Sequence, residues 1–355
     1  MKLADIFSIL CVLFFACACS SDEGSIYDIT GDKDGSAPEA VLAFQVKSGE
    51  VKTKGASETG SDNTIGQAIQ SCSVILFSGN EILAVEDDAT VTDGAIGTSF
   101  MTKVKEGLKV MVVANSKTTF RSCKNMNEVK AAFQQESDFN ADGLTKVGEE
   151  DVTWSSTGVN AGFDPASSAA SVYIQPVVVK QLAACIQLEA FNVIYNTNSK
   201  PADVHLLSVE LLNANYVTTT ANGEVTGEQA LYKNQAWDLG APSVPVYQNG
   251  QAVALSRTPT FYSFQNTNAG TPVSMKIKFT VGNQPYEKTY VINRPSEGDF
   301  INKTGTEYVN PNYLYRLTVN MTVTNKNVDC NIVCYTNDWI HEEGDNISGD
   351  VNVIK

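Results

Sequence analysis

The sequence predicts an all-β protein that contains two packed β-sandwiches. Short segments that alternate between apolar and polar residues recur along most of the chain, and only one segment has clear helical spacing. The chain has 355 residues, which is enough for two domains that each have a core. Many short strands with one helix at this length indicate two sandwiches.

The N-terminus has the pattern of a lipoprotein signal. An apolar run from Ile6 to Ala18 ends in small residues, and its length fits a secretory signal better than a transmembrane helix. Cys19 begins the polar run CSSDE and is the predicted lipidation site, with Cys17 as the alternative. We expect residues 1–18 to be the signal peptide and the lipid to be the only membrane anchor, unless the cysteines occur there by chance.

A flexible polar tether over residues 20–39 leads to the first predicted strand. In AVLAFQV, Leu42, Phe44 and Val46 share one face, as a half-buried strand requires. The stretch FQVKSGEVKTKGASETGSDNT then becomes polar and rich in lysine. It is either an ordinary surface loop or a loop that is cut so that the strand before it can leave.

Further elements follow along the chain. The segment NMNEVKAAFQQE predicts a helix after an asparagine cap, with Val129, Ala132 and Phe133 at helical spacing. The Pro and Ser content of FDPASSAASVYIQP predicts a domain boundary near residues 165–178. Other strands are predicted at SVILF (73–77), LKVMVVAN (108–115), SVYIQPVVV (171–179), LAACIQLEAFNV (182–193), VSMKIKFTV (273–281), YEKTYVINR (286–294), YRLTVNMTV (315–323) and NIVCY (331–335).

The chemistry of the chain argues against an enzyme. Only two histidines occur, His205 and His341, and the sequence contains no GxSxG, HExxH, P-loop or dinucleotide motif. A formal net charge of −15 makes a nucleic-acid partner improbable on electrostatic grounds. We therefore predict no catalytic residues and no cofactor. The cysteines beyond the signal show no disulfide spacing and are interpreted as buried apolar residues: Cys72, Cys123, Cys185, Cys330 and Cys334.

Two segments leave a binding role open. DFNADGLTKVGE places Asp138, Asn140, Asp142, Gly143 and Glu149 at the spacing of an EF-hand loop, although an acidic loop that follows a helix would look the same. The metal prediction is accordingly none. The tryptophans could line a glycan surface, but aromatic residues at strand ends more often belong to a core: Trp154, Trp237 and Trp339.

The C-terminal segment NISGDVNVIK alternates like a strand. Ile347, Gly349, Val351 and Val353 share one face, and the polar run IHEEGDN precedes them. Such a strand completes either a sheet of its own subunit or the sheet of a neighbour. Alternation alone does not distinguish the two.

The order of these elements resembles that of the fimbrillins, the lipoprotein-derived pilins of type V pili in Bacteroidales. It runs from the lipobox and first strand through SVILFSGNEIL, KEGLKVMVVAN, a helix and VKQLAACIQLEAFNV to NPNYLYRLTVNMTV and CYTNDWI. The sequence is most similar to the major stalk type. The resemblance covers about Cys19 to Lys355 and implies two tandem transthyretin-like β-sandwich domains with one or few short helices.

The resemblance also implies a function. A lipidated precursor would be anchored in the outer membrane and cut by an extracellular Lys/Arg-specific protease, after Lys54 and before Gly55, with Lys52 second and Lys47 third. Residues 19–54 would then be the removable tether and strand, residues 55–177 the first domain and residues 178–355 the second, with a donor tail at 340–355. Ile347, Val351 and Val353 would enter the place of Leu42, Phe44 and Val46 in the next identical or related subunit, by donor-strand exchange.

Other interpretations remain open from the sequence. The chain could be a tip or anchor fimbrillin, which would keep its first strand or lack a donating tail. It could also be a non-polymerising surface lipoprotein that binds glycan or calcium. In the stalk interpretation, tip and anchor fimbrillins are further partners, and the mature form supports adhesion from an extracellular fimbria.

Overall fold

The chain forms an all-β structure of two β-sandwiches that meet at a shared junction. The computed structural model describes residues 27–28, 39–48, 68–104, 106–136, 139, 141–154, 171–196, 201–223, 225, 227–268, 270–292, 309–324 and 328–338. The predicted fold class is confirmed, since strands dominate and helices are short.

The first sandwich is formed by strands that pair in the order β1-β5-β2-β9-β8-β6-β3-β4, with β4 also pairing with β5. The β9–β8 and β4–β5 pairings connect two layers, β1-β5-β2-β9 and β8-β6-β3-β4. The elements are β1 (Tyr27–Asp28), β2 (Glu39–Ser48), β3 (Ser71–Ser78), β4 (Glu81–Thr92), β5 (Ala95–Lys103), β6 (Leu108–Ala114), α1 (Met126–Ala131), β7 (Phe133–Gln135), β8 (Lys146–Asp151) and β9 (Ser171–Gln181).

The continuous apolar runs of β3 and β6 are explained by burial on both faces. Val74 and Val110 point into the core between the layers, whereas Ile75 and Met111 point outward under the helix. Met126 and Val129 of α1 cover this outer face. A strand that packs on both sides needs apolar residues at every position, so β3 and β6 show no alternation.

The helix begins as predicted and ends earlier. The side chain of Asn125 accepts the Glu128 N–H at 3.1 Å, which caps the first turn. The helix stops at Ala131, and Phe133 lies in β7 with 43% of its surface exposed. The prediction that Phe133 belongs to the helix face is therefore wrong. The backbone of residues 133–135 pairs with another strand, and this tertiary contact outweighs the local helical spacing.

The second sandwich packs a four-stranded sheet, in the order β16-β10-β19-β20, against a sheet in the order β15-β14-β11-β17-β18 with β13 beside β11. Its core includes Leu188, Phe191, Ile277 and Phe279. The strands are β10 (Ala184–Asn196), β11 (Val204–Asn215), β12 (Val217–Thr219), β13 (Tyr232–Ala236), β14 (Val244–Gln248), β15 (Gln251–Ala252), β16 (Thr260–Ser263), β17 (Ser274–Val281), β18 (Gln284–Val291), β19 (Tyr313–Thr324) and β20 (Val328–Asp338). Short 3₁₀ turns lie at Ala141–Gly143 and Gly227–Gln229.

The two sandwiches are joined by the chain connection and also by strand pairing and side-chain packing. The chain passes from β9 to β10 between Gln181 and Ala184. Strand β7 of the first half pairs antiparallel with β12 of the second, with Gln135 opposite Val217. Leu144 and Leu182 share a buried cluster with Tyr262 and Phe264. The junction therefore has a β-ladder and a small core of its own.

Candidate functional site

Strand β2 lies in the middle of one layer of the first sandwich. It pairs antiparallel with β5, where Leu42 is opposite Phe100, and parallel with β9, where Leu42 is opposite Tyr173. Both edges of β2 are occupied. Its removal would therefore expose main-chain donors and acceptors on two neighbouring strands.

The predicted alternation of β2 is present in the structure. Leu42, Phe44 and Val46 are 0%, 2% and 3% exposed and belong to the core between the layers. The ring of Phe44 meets that of Phe100 edge to face, with centroids 5.4 Å apart. Val41, Ala43 and Gln45 on the other face are half-buried, and Lys47 is exposed. The strand is thus held by one packed face and two paired edges.

The turn between β4 and β5 closes on the end of β2. Asp93 and Gly94 both have positive φ angles, 49° and 80°, as a tight hairpin turn requires. The Val46 N–H donates to the Gly94 carbonyl at 2.8 Å. A Cβ atom on Gly94 would lie 3.1 Å from the Val46 carbonyl oxygen, so glycine allows this close approach.

The described chain resumes after β2 at Ala68, where two buried side chains hold it. The Lys146 ammonium donates to the Ala68 and Leu144 carbonyls at 2.8 and 3.1 Å. The Asn115 amide donates to the same two carbonyls at 2.9 and 3.2 Å. The Asn115 Oδ1 accepts the Gln70 N–H at 2.8 Å. This anchor fixes the start of β3 independently of β2.

Burial shifts the titration of the anchor and its neighbour. Lys146 is fully buried, and desolvation lowers the pKa of its ammonium to about 8. The nearby Cys72 thiol is also buried, and desolvation raises its pKa to about 12. A thiol of this kind stays protonated and inert at neutral pH, in agreement with its interpretation as a small apolar residue. None of the four described cysteines, Cys72, Cys123, Cys185 and Cys330, forms a disulfide within the described part of the chain.

Most of the predicted processing residues fall outside the structure. Lys54, Gly55, Lys52, Cys19 and Cys17 lie outside the described residues. Lys47, the third cleavage choice, lies inside β2, and its backbone is in register with Val178 of β9. A protease needs an extended unpaired backbone, so the pairing of β2 disfavours cleavage at Lys47.

The donor residues Ile347, Val351 and Val353 also lie outside the described residues. The last described strand, β20, is at the edge of its sheet and ends with Asp338 opposite Tyr313. The preceding Asn312 donates its N–H to the Ala183 carbonyl at 3.0 Å. The described chain therefore ends, at Asp338, beside the junction between the sandwiches, where β2 also ends.

The EF-hand-like spacing does not form a cation site among the described residues. Asp142 is exposed in a 3₁₀ turn, and Glu149 lies in β8. The Glu149 carboxylate contacts Lys130 at 2.9 Å and Lys109 at 3.7 Å. Asp138 and Asn140 lie outside the described residues. No group of three potential metal ligands occurs in the part of the chain that the structure describes.

Three solved structures share this architecture along most of their length. A fimbrilin from Porphyromonas gingivalis matches with a TM-score of 0.52 and 16% identity, over 85% of this chain and 98% of that one. The chain has the fimbrillin fold. Two proteins from Parabacteroides distasonis that are assigned to cell adhesion match this chain equally well. Their TM-scores are 0.52 at 16% and 17% identity, over 85% and 84% of this chain and 97% and 99% of theirs.

The fimbrillin fold is detected through structure and not through sequence. No family model matches the chain, and no curated protein matches it significantly. The matched structures are fimbrial and adhesion proteins and not enzymes. Within the described residues, no helix has the length and hydropathy of a membrane span.

Sequence reasoning missed one strand of the site. Strand β5 forms one wall of the β2 position, with Ile96 and Phe100 in the core. Its segment AIGTSFMTK carries few apolar residues, so periodicity alone is weak. The Asp93-Gly94 pair that precedes it is a strong hairpin signal and could have identified both β4 and β5.

Proposed function

We propose that this protein is a structural subunit of a cell-surface fimbria that supports adhesion. It is exported as a lipoprotein acylated at Cys19 and anchored in the outer membrane until processing. An extracellular Lys/Arg-specific protease cuts after Lys54. The mature chain then polymerises by donor-strand exchange and also contacts related tip and anchor subunits.

The position of β2 is the observation that supports this proposal most strongly. A strand close to the N-terminus is paired on both edges and buries one apolar face, so its departure leaves a site that must be refilled. The lysine-bearing segment after it contains Lys52 and Lys54. The anchor at Ala68 lies downstream of both lysines. A cut after either lysine therefore leaves the start of β3 held by the anchor.

The C-terminal residues have the pattern that the vacated site requires. Ile347, Val351 and Val353 fall on one face of an extended strand, as Leu42, Phe44 and Val46 do in β2. Burying three such aliphatic side chains contributes about 5–9 kcal/mol before ordering costs. Each subunit donates and receives at different places, so the contact is head-to-tail and generates an open filament.

Deletion of residues 345–355 tests the polymerisation step. We expect material sheared from cells that express the intact protein to show high-mass, SDS-resistant ladders on a gel, which collapse to monomer on boiling. The deletion should abolish these ladders. The matched control keeps the length of the tail and exchanges the polar Asp350 and Asn352 for serine, which should preserve the ladders. An intact protein that stays monomeric with and without the tail would favour a non-polymerising lipoprotein that binds glycan or calcium.

N-terminal sequencing of the sheared filaments tests the processing step separately. We expect the assembled chain to begin at Gly55. A start at Thr53 would move the cut to Lys52. Filaments whose subunits still begin at Cys19 would refute processing.

A further inference from the structure

The ladder partners of β5 are unevenly distributed along its length. Strand β4 pairs only with its first residues, where Val91 is opposite Ile96 and Thr92 is opposite Ala95. From Gly97 onward, the described partners are β2 on one edge and β1 on the other. Both β1 and β2 lie upstream of Lys54. Cleavage there would disconnect from the body every described strand that pairs with residues 97–103.

Strands β3 and β6 of the opposite layer do not share this dependence. Strand β3 pairs with both β4 and β6, and β6 pairs with both β3 and β8, all of them downstream of Lys54. Strand β9 also loses its ladder over residues 171–179, but it keeps pairs between Gln181 and Lys146 and between Lys180 and Val147 of β8. Within the part that loses the ladder, the Gln175 side chain accepts the Thr153 N–H at 3.2 Å, and the Val178 backbone packs closely on Gly148 of β8. Strand β9 is therefore held to the body by contacts other than its ladder with β2, whereas the described ladders of residues 97–103 of β5 all run to the removable segment.

The point where the dependence begins is a glycine. Gly97 follows Ile96, the last residue of β5 that pairs with β4. Glycine restricts backbone rotation least of all residues, and a bend there leaves the Asp93-Gly94 turn in place. Beyond Gly97, the edge-to-face pair of Phe100 with Phe44 is also lost when β2 leaves.

We infer that residues 97–103 of β5 are a movable wall of the strand site, released at Gly97 when β1 and β2 depart and fixed again by the strand that replaces β2. The inference rests on the proposed function only in requiring that the segment upstream of Lys54 leaves. After β2 departs, the site is therefore not a preformed groove with two fixed edges. Its β9 edge stays in place, and its β5 edge forms together with the incoming strand.

Hydrogen exchange measured by mass spectrometry tests this inference on the full chain. A recognition sequence for a site-specific protease, inserted within residues 49–67, allows the cut to be made without the natural protease. The released segment is removed by size-exclusion chromatography in mild urea, followed by refolding. We expect amides of residues 97–103 to exchange at least about tenfold faster than in the uncut chain, with β3 and β6 unchanged. Unchanged protection of β5, or equal loss of protection in β3 and β6, would overturn the inference.

Peptides added to the emptied chain separate this inference from the donor-strand proposal. A peptide of residues 39–48 should restore the protection of β5, because it restores the original ladder. A peptide of residues 345–355 should do so as well if the tail is the donor. Rescue by the first peptide and not by the second would leave the movable wall standing and refute the donor tail. Failure of both would overturn the movable wall.

A variant of the uncut chain tests the dependence of β5 on β2 independently. Phe44→Ala removes the ring that packs on Phe100 and should loosen β2. Exchange in residues 97–103 should then rise at least about fivefold while β3 stays protected. Val41→Ala changes the half-buried outward face of the same strand and serves as the matched control. If Phe44→Ala leaves the exchange of β5 no faster than that of β3, the dependence of β5 on β2 is refuted.

Discussion

At the scale of single residues, the anchor around Ala68 combines a favourable geometry with an unfavourable charge. Lys146 and Asn115 donate to the same two carbonyls, so each carbonyl keeps a partner if one donor is lost. The buried ammonium is costly because the protein interior solvates it less well than water. Its hydrogen bonds to the Ala68 and Leu144 carbonyls offset part of this cost.

The lowered pKa of Lys146 predicts a pH dependence of stability. The ordinary pKa of 10.5 falls to about 8 on folding, so the folded state binds this proton less tightly than the unfolded state. The contribution of Lys146 to the free energy of unfolding should therefore rise as pH increases from about 8 towards 10.5, by about 1 kcal/mol between pH 7 and 9. The raised pKa values of the Cys72, Cys123 and Cys330 thiols act in the opposite direction as pH approaches their ordinary value of 9.0, so the contribution of Lys146 is measured as the difference between the parent chain and a variant that lacks this lysine.

Urea denaturation at pH 7 and pH 9 measures this effect. Lys146→Met should remove this contribution, so that its free energy of unfolding at pH 9 relative to pH 7 falls about 1 kcal/mol below that of the parent chain. Asn115 would still donate to both carbonyls. Lys109→Met removes a surface lysine that pairs with Asp151 at 3.1 Å and should leave the rise intact. An equal rise in the Lys146→Met variant would contradict the assignment.

At the scale of elements, the first sandwich depends on the corner at which the neighbouring strands β8 and β9 connect its two layers. Gly148 of β8 packs against the backbone of β9, and a Cβ atom added to it would lie 2.2 Å from the Val178 carbonyl oxygen. Val178 is also in register with Lys47 of β2. The same glycine therefore sets the spacing of the layers and the position of the fixed edge of the strand site.

Gly148→Ala should destabilise the first sandwich by about 1–3 kcal/mol, because the two backbones must separate to admit the methyl group. The midpoint of urea denaturation measures the loss. Gly143→Ala is the matched control, since a Cβ atom there would meet no atom within 4 Å. Similar midpoints for the two variants would show that the corner relaxes without cost.

At the scale of the whole molecule, the junction links the folding of the two sandwiches. Phe139 packs on Tyr216 and Phe264 with ring centroids 4.7 and 5.3 Å apart. The Gln134 amide donates to Thr220 Oγ1 at 2.9 Å beside the β7–β12 ladder. These contacts couple the two halves of the chain through aromatic packing and a hydrogen bond.

Phe139→Ala should reduce the coupling between the two halves. We expect the single thermal unfolding transition of the parent chain to split into two or to broaden, because the shared aromatic cluster loses its central ring. Differential scanning calorimetry measures this change. Phe133→Ala, which removes an exposed ring from the same junction strand, is the control. A single sharp transition in Phe139→Ala at an unchanged temperature would contradict the coupling.

The sequence by itself determined which face of each strand is buried. Leu42, Phe44 and Val46 of β2 follow the period-2 rule, and so do Leu317, Val319 and Met321 of β19. The continuous apolar runs of β3 and β6 were recognisable as strands, although the helix that covers them was predicted too long. In each case the local sequence pattern reflects whether a side chain is buried in the core or exposed to solvent.

Only the tertiary structure decided which strands are neighbours. Nothing local in AIGTSFMTK states that Phe100 lies opposite Leu42, or that Tyr173 lies on the other side of it. Alternation specifies an inside and an outside. The choice of partner is made by main-chain hydrogen bonds, which are the same for every residue type, and by packing across distant parts of the chain. The dependence of β5 on the removable segment is a property of that pairing order, so it became visible only in the folded molecule.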